Sequence, residues 1–255
     1  MTRYLGFGHS HIVAVAKGAY ALQAKEQANA GTPAEASFHY LYDAPFHPAW
    51  LEAEQRETAG RLNGAILDKL LSAAPQFVVL SVGGNEHNVL SFSAQDRPYD
   101  FILSEEPDAP LCANAEIIPE SAIRETLHGW MKDKIAILDA LSRASAAPCM
   151  LISPPPPLPR AHVLAHPGEL VRLGVDSLQI APEHLRAKMW HLQTRIYEKI
   201  CADINVAFIP VPPEFIDENG MLTAEACGND ATHANEIFGE AVMQHALRAA
   251  ETLSK

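Results

Sequence analysis

Five short apolar segments recur along the chain, and they restrict the possible folds more than any other feature. The segments occupy residues 4–8, 38–42, 77–82, 149–153 and 206–211. Each is apolar almost throughout rather than at alternate positions. This pattern is typical of strands whose two faces are both covered by other elements. We therefore predict five buried strands.

Helical periodicity fills the intervals between these segments. It begins after Ser10 and recurs at about residues 61–71, 120–143, 184–202 and 235–253. Strands that alternate with helices along a whole chain predict an α/β fold, with a parallel sheet and helices on both faces. In the first helix we expect one side to be buried, the side formed by Ile12, Val13, Ala16, Tyr20 and Ala24.

The chain has no linker or change in composition that would divide it. With 255 residues, of which 48% are hydrophobic, it is predicted to form a single domain over residues 1–255. Two long irregular segments, 91–119 and 154–183, interrupt the regular pattern. Loops of this length inside a compact domain are usually lids or binding loops. We therefore interpret both as lid or specificity insertions.

The net charge restricts the possible binding partners, and the lack of targeting signals restricts the expected location of the protein. The 19 Lys and Arg residues against 31 Asp and Glu residues give a net charge of −12, and no basic cluster is visible. This composition argues against a nucleic acid or a membrane surface as partner. The sequence shows neither an apolar run long enough to span a bilayer nor a secretory signal, so we expect a cytoplasmic protein with free cysteines.

Polar residues follow three of the predicted strands. Ser10 stands between the first strand and its helix, where it serves either as a helix cap or as a nucleophile. Asn85 follows two glycines after the third strand, as a turn residue or as an amide donor to an oxyanion. Asp230 and His233 share a loop after the fifth strand, where the carboxylate can orient the imidazole as a base. Taken singly, each of these signals is weak.

The order of these residues resembles that of the SGNH (GDSL-type) hydrolase superfamily. The matching blocks are residues 8–11 (Gly-His-Ser-His), 83–86 (Gly-Gly-Asn-Glu) and 230–235 (Asp-Ala-Thr-His-Ala-Asn). The resemblance implies a flavodoxin-like topology and a serine ester hydrolase (an esterase or deacetylase) that needs no cofactor or metal. Ser10 would be the nucleophile, His233 the general base and Asp230 its orienting partner.

The resemblance also implies an oxyanion hole and a substrate pocket. The donors would be the Ser10 N–H, the Asn85 amide and a glycine, for which Gly60 is the first choice and Gly64 the second. The family has Asp where this chain has His9, and again where it has Glu86. Clustered histidines would bind the substrate, and these are His9, His11 and His87.

Two other functions remain open, and the resemblance leaves the substrate undetermined. The spread of the family suggests a small-molecule or glycan ester such as an acylated carbohydrate. One alternative is a metal-dependent hydrolase that uses the clustered histidines with Glu86 and Asp230, although no HExxH spacing is present. The other is an inactive SGNH scaffold that only binds a glycan or another partner. The oligomeric state is not predicted.

Overall fold

A computed structural model describes residues 2–29, 34–47, 50–51, 62–92, 97–168 and 180–253. It contains seven β-strands in two parallel sheets. The strands are β1 (Arg3–Gly8), β2 (Glu35–Tyr40), β3 (Phe77–Ser81), β4 (Tyr99–Asp100), β5 (Glu116–Ile117), β6 (Cys149–Ile152) and β7 (Ala207–Ile209). The two short strands β4 and β5 pair with each other, and the other five form the main sheet.

The main sheet has the strand order β2-β1-β3-β6-β7, and all of its strands are parallel. Counted within the sheet alone, this order is 2-1-3-4-5, which is the flavodoxin-like arrangement. Each of the five predicted apolar segments overlaps one strand of this sheet. The predicted fold, a five-stranded parallel sheet with flavodoxin-like topology, is therefore confirmed.

Helices cover both faces of the sheet. They are α1 (Ile12–Ala28), α2 (Gly64–Ala73), α3 (Glu86–Ser91), α4 (Glu120–Ala144), α5 (Arg160–Ala165), α6 (Glu183–Asp203) and α7 (Glu236–Leu253). Side chains from α2, α4 and α6 join one buried cluster with the sheet, and side chains from α1 and α7 join a second cluster on the other face. The result is a three-layer α/β/α sandwich. None of the described helices is both long and apolar enough to cross a membrane.

The predicted buried side of α1 is wrong. Val13 is 46% exposed and Tyr20 is 48% exposed. Ile12 is buried as predicted, but the other buried residues of α1 are Ala14, Val15, Gly18 and Ala19. The reason is that α1 contacts both the sheet and α7, and α7 approaches so closely that a Cβ atom on Gly239 would overlap the carbonyl group of Ala14. Small residues, rather than large apolar ones, therefore mark this helix contact.

The helix predicted at 61–71 begins later, at Gly64. Asn63 is its N-cap, and the Asn63 side chain accepts a hydrogen bond of 2.8 Å from the backbone N–H of Ala65. An N-cap side chain of this kind satisfies a donor that the first turn leaves free. Gly60, which we expected to precede the helix directly, is therefore four residues before it and lies outside the described residues.

Parts of the two predicted lid segments are packed into the interior. In segment 91–119, Phe101 and Leu103 are fully buried in the core beside β4. In segment 154–183, the four prolines at 154–157 are buried, and the carbonyl group of Pro154 accepts a hydrogen bond from Trp190. These stretches therefore support the core, and an interpretation as surface lids does not apply to them.

Candidate active site

Ser10 and Asn85 lie at the carboxyl ends of neighbouring strands, β1 and β3. This is where the strand order reverses, and ligands of open α/β sheets bind at this point. Ser10 borders two cavities here. The first, which we name the His233 cavity, has a volume of about 580 Å³ and is lined also by Asp230 and His233. The second, the Asn85 cavity, has a volume of about 390 Å³ and is lined also by Asn85 and Trp130.

Asp230 and His233 form a closely coupled pair on a tight loop. Nδ1 of His233 lies 2.7 Å from Oδ2 of Asp230. The other carboxylate oxygen accepts the backbone N–H groups of Thr232 and His233, at 2.8 and 2.9 Å. A bridge between Cys227 and Ala234 closes the loop at its base. The local backbone thus holds both side chains in register before any substrate is bound.

The charge on Asp230 determines which nitrogen of His233 is basic. Burial by itself raises the pKa of Asp230, but the hydrogen bonds from His233 and Thr232 hold it well below its ordinary value. An ionised carboxylate at 2.7 Å keeps the proton of the neutral imidazole on Nδ1. Nε2 is then the free base. It is buried and forms no hydrogen bond with the part of the chain that the structure describes.

Ser10 does not cap α1. The N-cap position belongs to His11, and no side chain forms a capping hydrogen bond there. The backbone N–H of Ser10 donates to none of the described residues, whereas the carbonyl groups of His9 and Ser10 already accept bonds from the first turn of α1. Both the hydroxyl and the N–H of Ser10 are thus available to a substrate. The interpretation of Ser10 as a helix cap is not supported.

The turn that positions Asn85 requires its two glycines. Gly83 has φ of 78° and Gly84 has φ of 117°, a region that residues with a Cβ atom rarely adopt. A side chain on Gly83 would also overlap the Tyr197 hydroxyl, and one on Gly84 would lie 2.8 Å from the His11 ring. The tight turn brings Asn85 to the cavity that Ser10 also lines.

Both departures from the family pattern support this same turn. Nδ1 of His9 accepts the N–H of Gly83 at 2.9 Å, and Oε2 of Glu86 accepts the N–H of Gly84 at 2.9 Å. Burial, followed by the nearby Lys134, lowers the pKa of His9 to about 4, so the ring is neutral and can accept this bond. His9 lines the Asn85 cavity but is only 3% exposed. Its observed contacts make it a support for the turn.

His11 holds the Asn85 side chain, and it lines neither of the two cavities. Its Nε2 lies 3.2 Å from Oδ1 of Asn85, and Nδ2 of Asn88 donates to the same oxygen at 3.1 Å. Because both contacts fix the amide oxygen, the Nδ2 group of Asn85 remains free for the cavity that it shares with Ser10. The prediction that His11 binds substrate is therefore corrected: His11 is buried behind Asn85.

His87 is also buried, at 1% exposure, and it lines neither cavity. Its backbone N–H donates to Oε1 of Gln193 at 2.6 Å, while both ring nitrogens lack a partner among the described residues. The predicted contact of His87 with substrate is corrected for this reason, because the ring points into the protein interior. Asn88, which the sequence analysis overlooked, lies three residues after Asn85, a spacing that could have indicated the contact.

The glycine donor of the oxyanion hole is not identified. Gly60 lies outside the described residues. Gly64, the second choice, is exposed at the start of α2, and neither cavity beside Ser10 includes it. Of the three predicted oxyanion donors, the structure brings Ser10 and Asn85 to the same cavity.

Several solved structures are similar to this chain over nearly its whole length. The periplasmic domain of a lipopolysaccharide acetyltransferase from Salmonella Paratyphi A is 11% identical, with coverage of 97% of this chain and 82% of that chain and a TM-score of 0.49. An extracellular lipase from Streptomyces rimosus is 13% identical, with coverage of 98% and 100% and a TM-score of 0.47. A GDSL-like lipase from Bacteroides thetaiotaomicron is 14% identical, with coverage of 99% and 89% and a TM-score of 0.42. These likenesses concern the fold. No protein-family model matches the sequence, and neither does any curated protein.

Proposed function

We propose that this protein is a serine ester hydrolase of the SGNH type, with Ser10 as nucleophile. The observation that carries the proposal is one shared cavity. Ser10 and the hydrogen-bonded pair Asp230 and His233 line it together, at the carboxyl edge of the sheet. A hydroxyl, an imidazole with a free Nε2 and a carboxylate on Nδ1 are the parts of a catalytic triad.

The reaction proceeds in two steps. Nε2 of His233 takes the hydroxyl proton as Ser10 Oγ attacks the ester carbonyl carbon, and the Ser10 N–H and the Asn85 amide stabilise the oxyanion. His233 then gives the proton to the departing alcohol, which leaves an acyl-serine. In the second step His233 takes a proton from water, the hydroxide attacks the acyl carbon, and the carboxylic acid leaves as the proton returns to Ser10. Asp230 stays ionised throughout and stabilises the imidazolium.

The arrangement of the histidines favours this mechanism over the metal-dependent alternative. His9 accepts a backbone N–H through Nδ1, and His11 contacts Asn85 through Nε2. One nitrogen of each ring is therefore already used in a contact within the protein. Across the described ranges, the one group of three side chains with ligand atoms close enough for a metal is elsewhere and contains none of the histidines near Ser10. The inactive-scaffold alternative is addressed by the experiment below.

Aromatic rings beside the serine support a sugar ester as substrate. Trp130 and Tyr42 are each 44% exposed. Both line the Asn85 cavity with Lys134, one turn of α4 after Trp130. Exposed aromatic rings can pack against the apolar face of a sugar, and the ammonium group of Lys134 can donate hydrogen bonds to its hydroxyl groups. We propose an acylated carbohydrate as substrate class.

The purified protein should hydrolyse both p-nitrophenyl acetate and an acetylated monosaccharide, with acetate release as the measure. We expect Trp130→Ala to lower kcat/KM for the sugar ester about tenfold, the equivalent of about 1.4 kcal/mol of aromatic contact, and to change p-nitrophenyl acetate hydrolysis less than about twofold. Tyr20→Ala is the matched control, because Tyr20 is equally exposed but lines neither cavity. If the wild type cleaves neither ester, the binding-scaffold alternative replaces this proposal.

Replacing Asn85 by alanine is expected to lower kcat by about 10²–10³, the usual effect of losing one oxyanion donor. KM should change little, because the donor acts on the charge that develops in the transition state. Steady-state kinetics on p-nitrophenyl acetate give the two constants separately. The control is Asn63→Ala. It removes the side-chain amide at the N-cap of α2, and Asn63 lines neither cavity. A large rise in KM at unchanged kcat would contradict the role as oxyanion donor.

A further inference from the structure

A cavity with a volume of about 1020 Å³ lies along α6, outside the candidate active site. Its wall includes His184, from the first turn of α6, and Lys188, one turn later. Two more side chains meet His184 there, Asp100 from the end of β4 and Cys112 from the segment that follows. The proposed ester hydrolysis uses none of these residues. Their contact is not predictable from the sequence, because Cys112 is 12 residues from Asp100 and 72 residues from His184.

The three side chains present one ligand atom each to a common point. Sγ of Cys112 lies 3.2 Å from Nε2 of His184, and Nε2 lies 3.9 Å from Oδ2 of Asp100. All three atoms lie within 4.8 Å of one another. A tetrahedral zinc ion with its usual bond lengths to sulfur, nitrogen and oxygen separates neighbouring ligands by about 3.3–3.6 Å. The two measured separations lie on either side of this range.

We propose that Asp100, Cys112 and His184 bind one zinc ion. Thiolate, imidazole and carboxylate together suit Zn²⁺ and do not suit Mg²⁺ or Ca²⁺, which prefer oxygen ligands only. The side chain of His184 is 31% exposed and lines the cavity, so water supplies the fourth ligand from that side.

The neighbouring charges are compatible with a cation at this point. Lys188 is bound through Oδ1 of Asp100, at 2.5 Å, and also donates to the carbonyl groups of Phe101 and Pro110. The other oxygen, Oδ2, accepts the N–H of Cys112 at 2.7 Å and lies 3.9 Å from Nε2 of His184. Lys188 reduces the affinity by repulsion, while the carboxylate of Asp100 and the thiolate of Cys112 offset it.

Zinc binding requires that the thiol release its proton. Zn²⁺ replaces that proton and forms the Zn–S bond, and the proton passes to solvent. The ion then joins β4, the segment after it and the start of α6. The consequence is a structural crosslink between segment 100–112 and the helix layer.

Metal-free, tag-free protein titrated with Zn²⁺ by calorimetry tests the proposal. We expect one equivalent to bind, and Cys112→Ser and His184→Ala each to weaken binding at least about tenfold while circular dichroism shows an unchanged fold. Loaded with Co²⁺, the wild type should show a thiolate-to-cobalt charge-transfer band that Cys112→Ser lacks. Added Zn²⁺ should also raise the Tm of the wild type but not that of Cys112→Ser.

His162→Ala is the control variant, because His162 on α5 and His166, directly after this helix, form a second pair of imidazoles with ring centroids 4.6 Å apart. It should bind zinc as the wild type does. The proposal is overturned if the wild type binds no zinc, if both Cys112→Ser and His184→Ala bind as the wild type does, or if His162→Ala abolishes binding. Ester hydrolysis is measured separately, so its failure would leave this result unaffected.

Discussion

Replacing Ser10 by alanine is expected to reduce kcat for p-nitrophenyl acetate by at least about 10³. The substitution removes the atom that forms the acyl-enzyme, and the residual rate would come from the oxyanion donors and substrate binding alone. The substitution removes a hydroxyl that caps no helix, so the thermal unfolding midpoint should change by less than about 2 °C. Initial rates and thermal unfolding of the two proteins, measured side by side, give both quantities.

Covalent labelling distinguishes a nucleophile from a residue that only supports the site. A fluorophosphonate probe should modify the wild type on the peptide that contains Ser10 and leave Ser10→Ala unlabelled, with mass spectrometry as the readout. Ser37→Ala is the control, because Ser37 lies on β2 and borders neither of the two cavities. Equal hydrolysis rates in Ser10→Ala and the wild type would contradict the proposed mechanism.

The strands were predictable because a strand that is buried on both faces consists of consecutive apolar residues. The segments at 77–82 and 149–153 correspond to β3 and β6 within one residue at each end. The buried side of α1 was not predictable in the same way. Its contact with α7 depends on Gly18 and Gly239, and a glycine carries no hydrophobic signal although its missing side chain permits the close approach.

The contact between Asp230 and His233 was predictable, because the two residues are close together in the sequence. Asp230 and His233 are three residues apart, and their contact lies within one loop. The contacts of His9 and His11 are not local. His9 accepts the N–H of Gly83 and His11 contacts the Asn85 amide, and each partner is 74 residues away. A sequence shows that histidines stand near a serine, but whether each faces substrate or supports the neighbouring turn is decided by tertiary packing. That is why all three histidines predicted to contact substrate are buried.

Acidification from pH 7 to pH 5 is expected to destabilise the protein by about 6 kcal/mol, because three histidines are buried in their neutral form. Burial is the largest cause in each case, and it lowers the pKa of His9 to about 4 and that of His11 and His87 to about 3. In the unfolded chain each has a pKa of about 6.5. Between these pKa values the histidines are protonated in the unfolded state but not in the folded state. The free energy of unfolding is therefore highest above about pH 6.5 and decreases as the pH falls. At pH 5 the loss is about 2 kcal/mol for each histidine.

Urea unfolding midpoints at pH 7 and pH 5 measure this effect, and a substitution at His87 assigns part of it. His87 is 1% exposed, so His87→Leu removes one of the three buried titrating groups and replaces it with an apolar side chain. We expect this variant to lose about one third less stability than the wild type between the two pH values. His128→Gln, at an exposed position on α4, should behave as the wild type does. Equal midpoints at pH 7 and pH 5 in the wild type would show that the folded state accepts these protons, and would contradict the neutral rings on which the contacts of His9 and His11 depend.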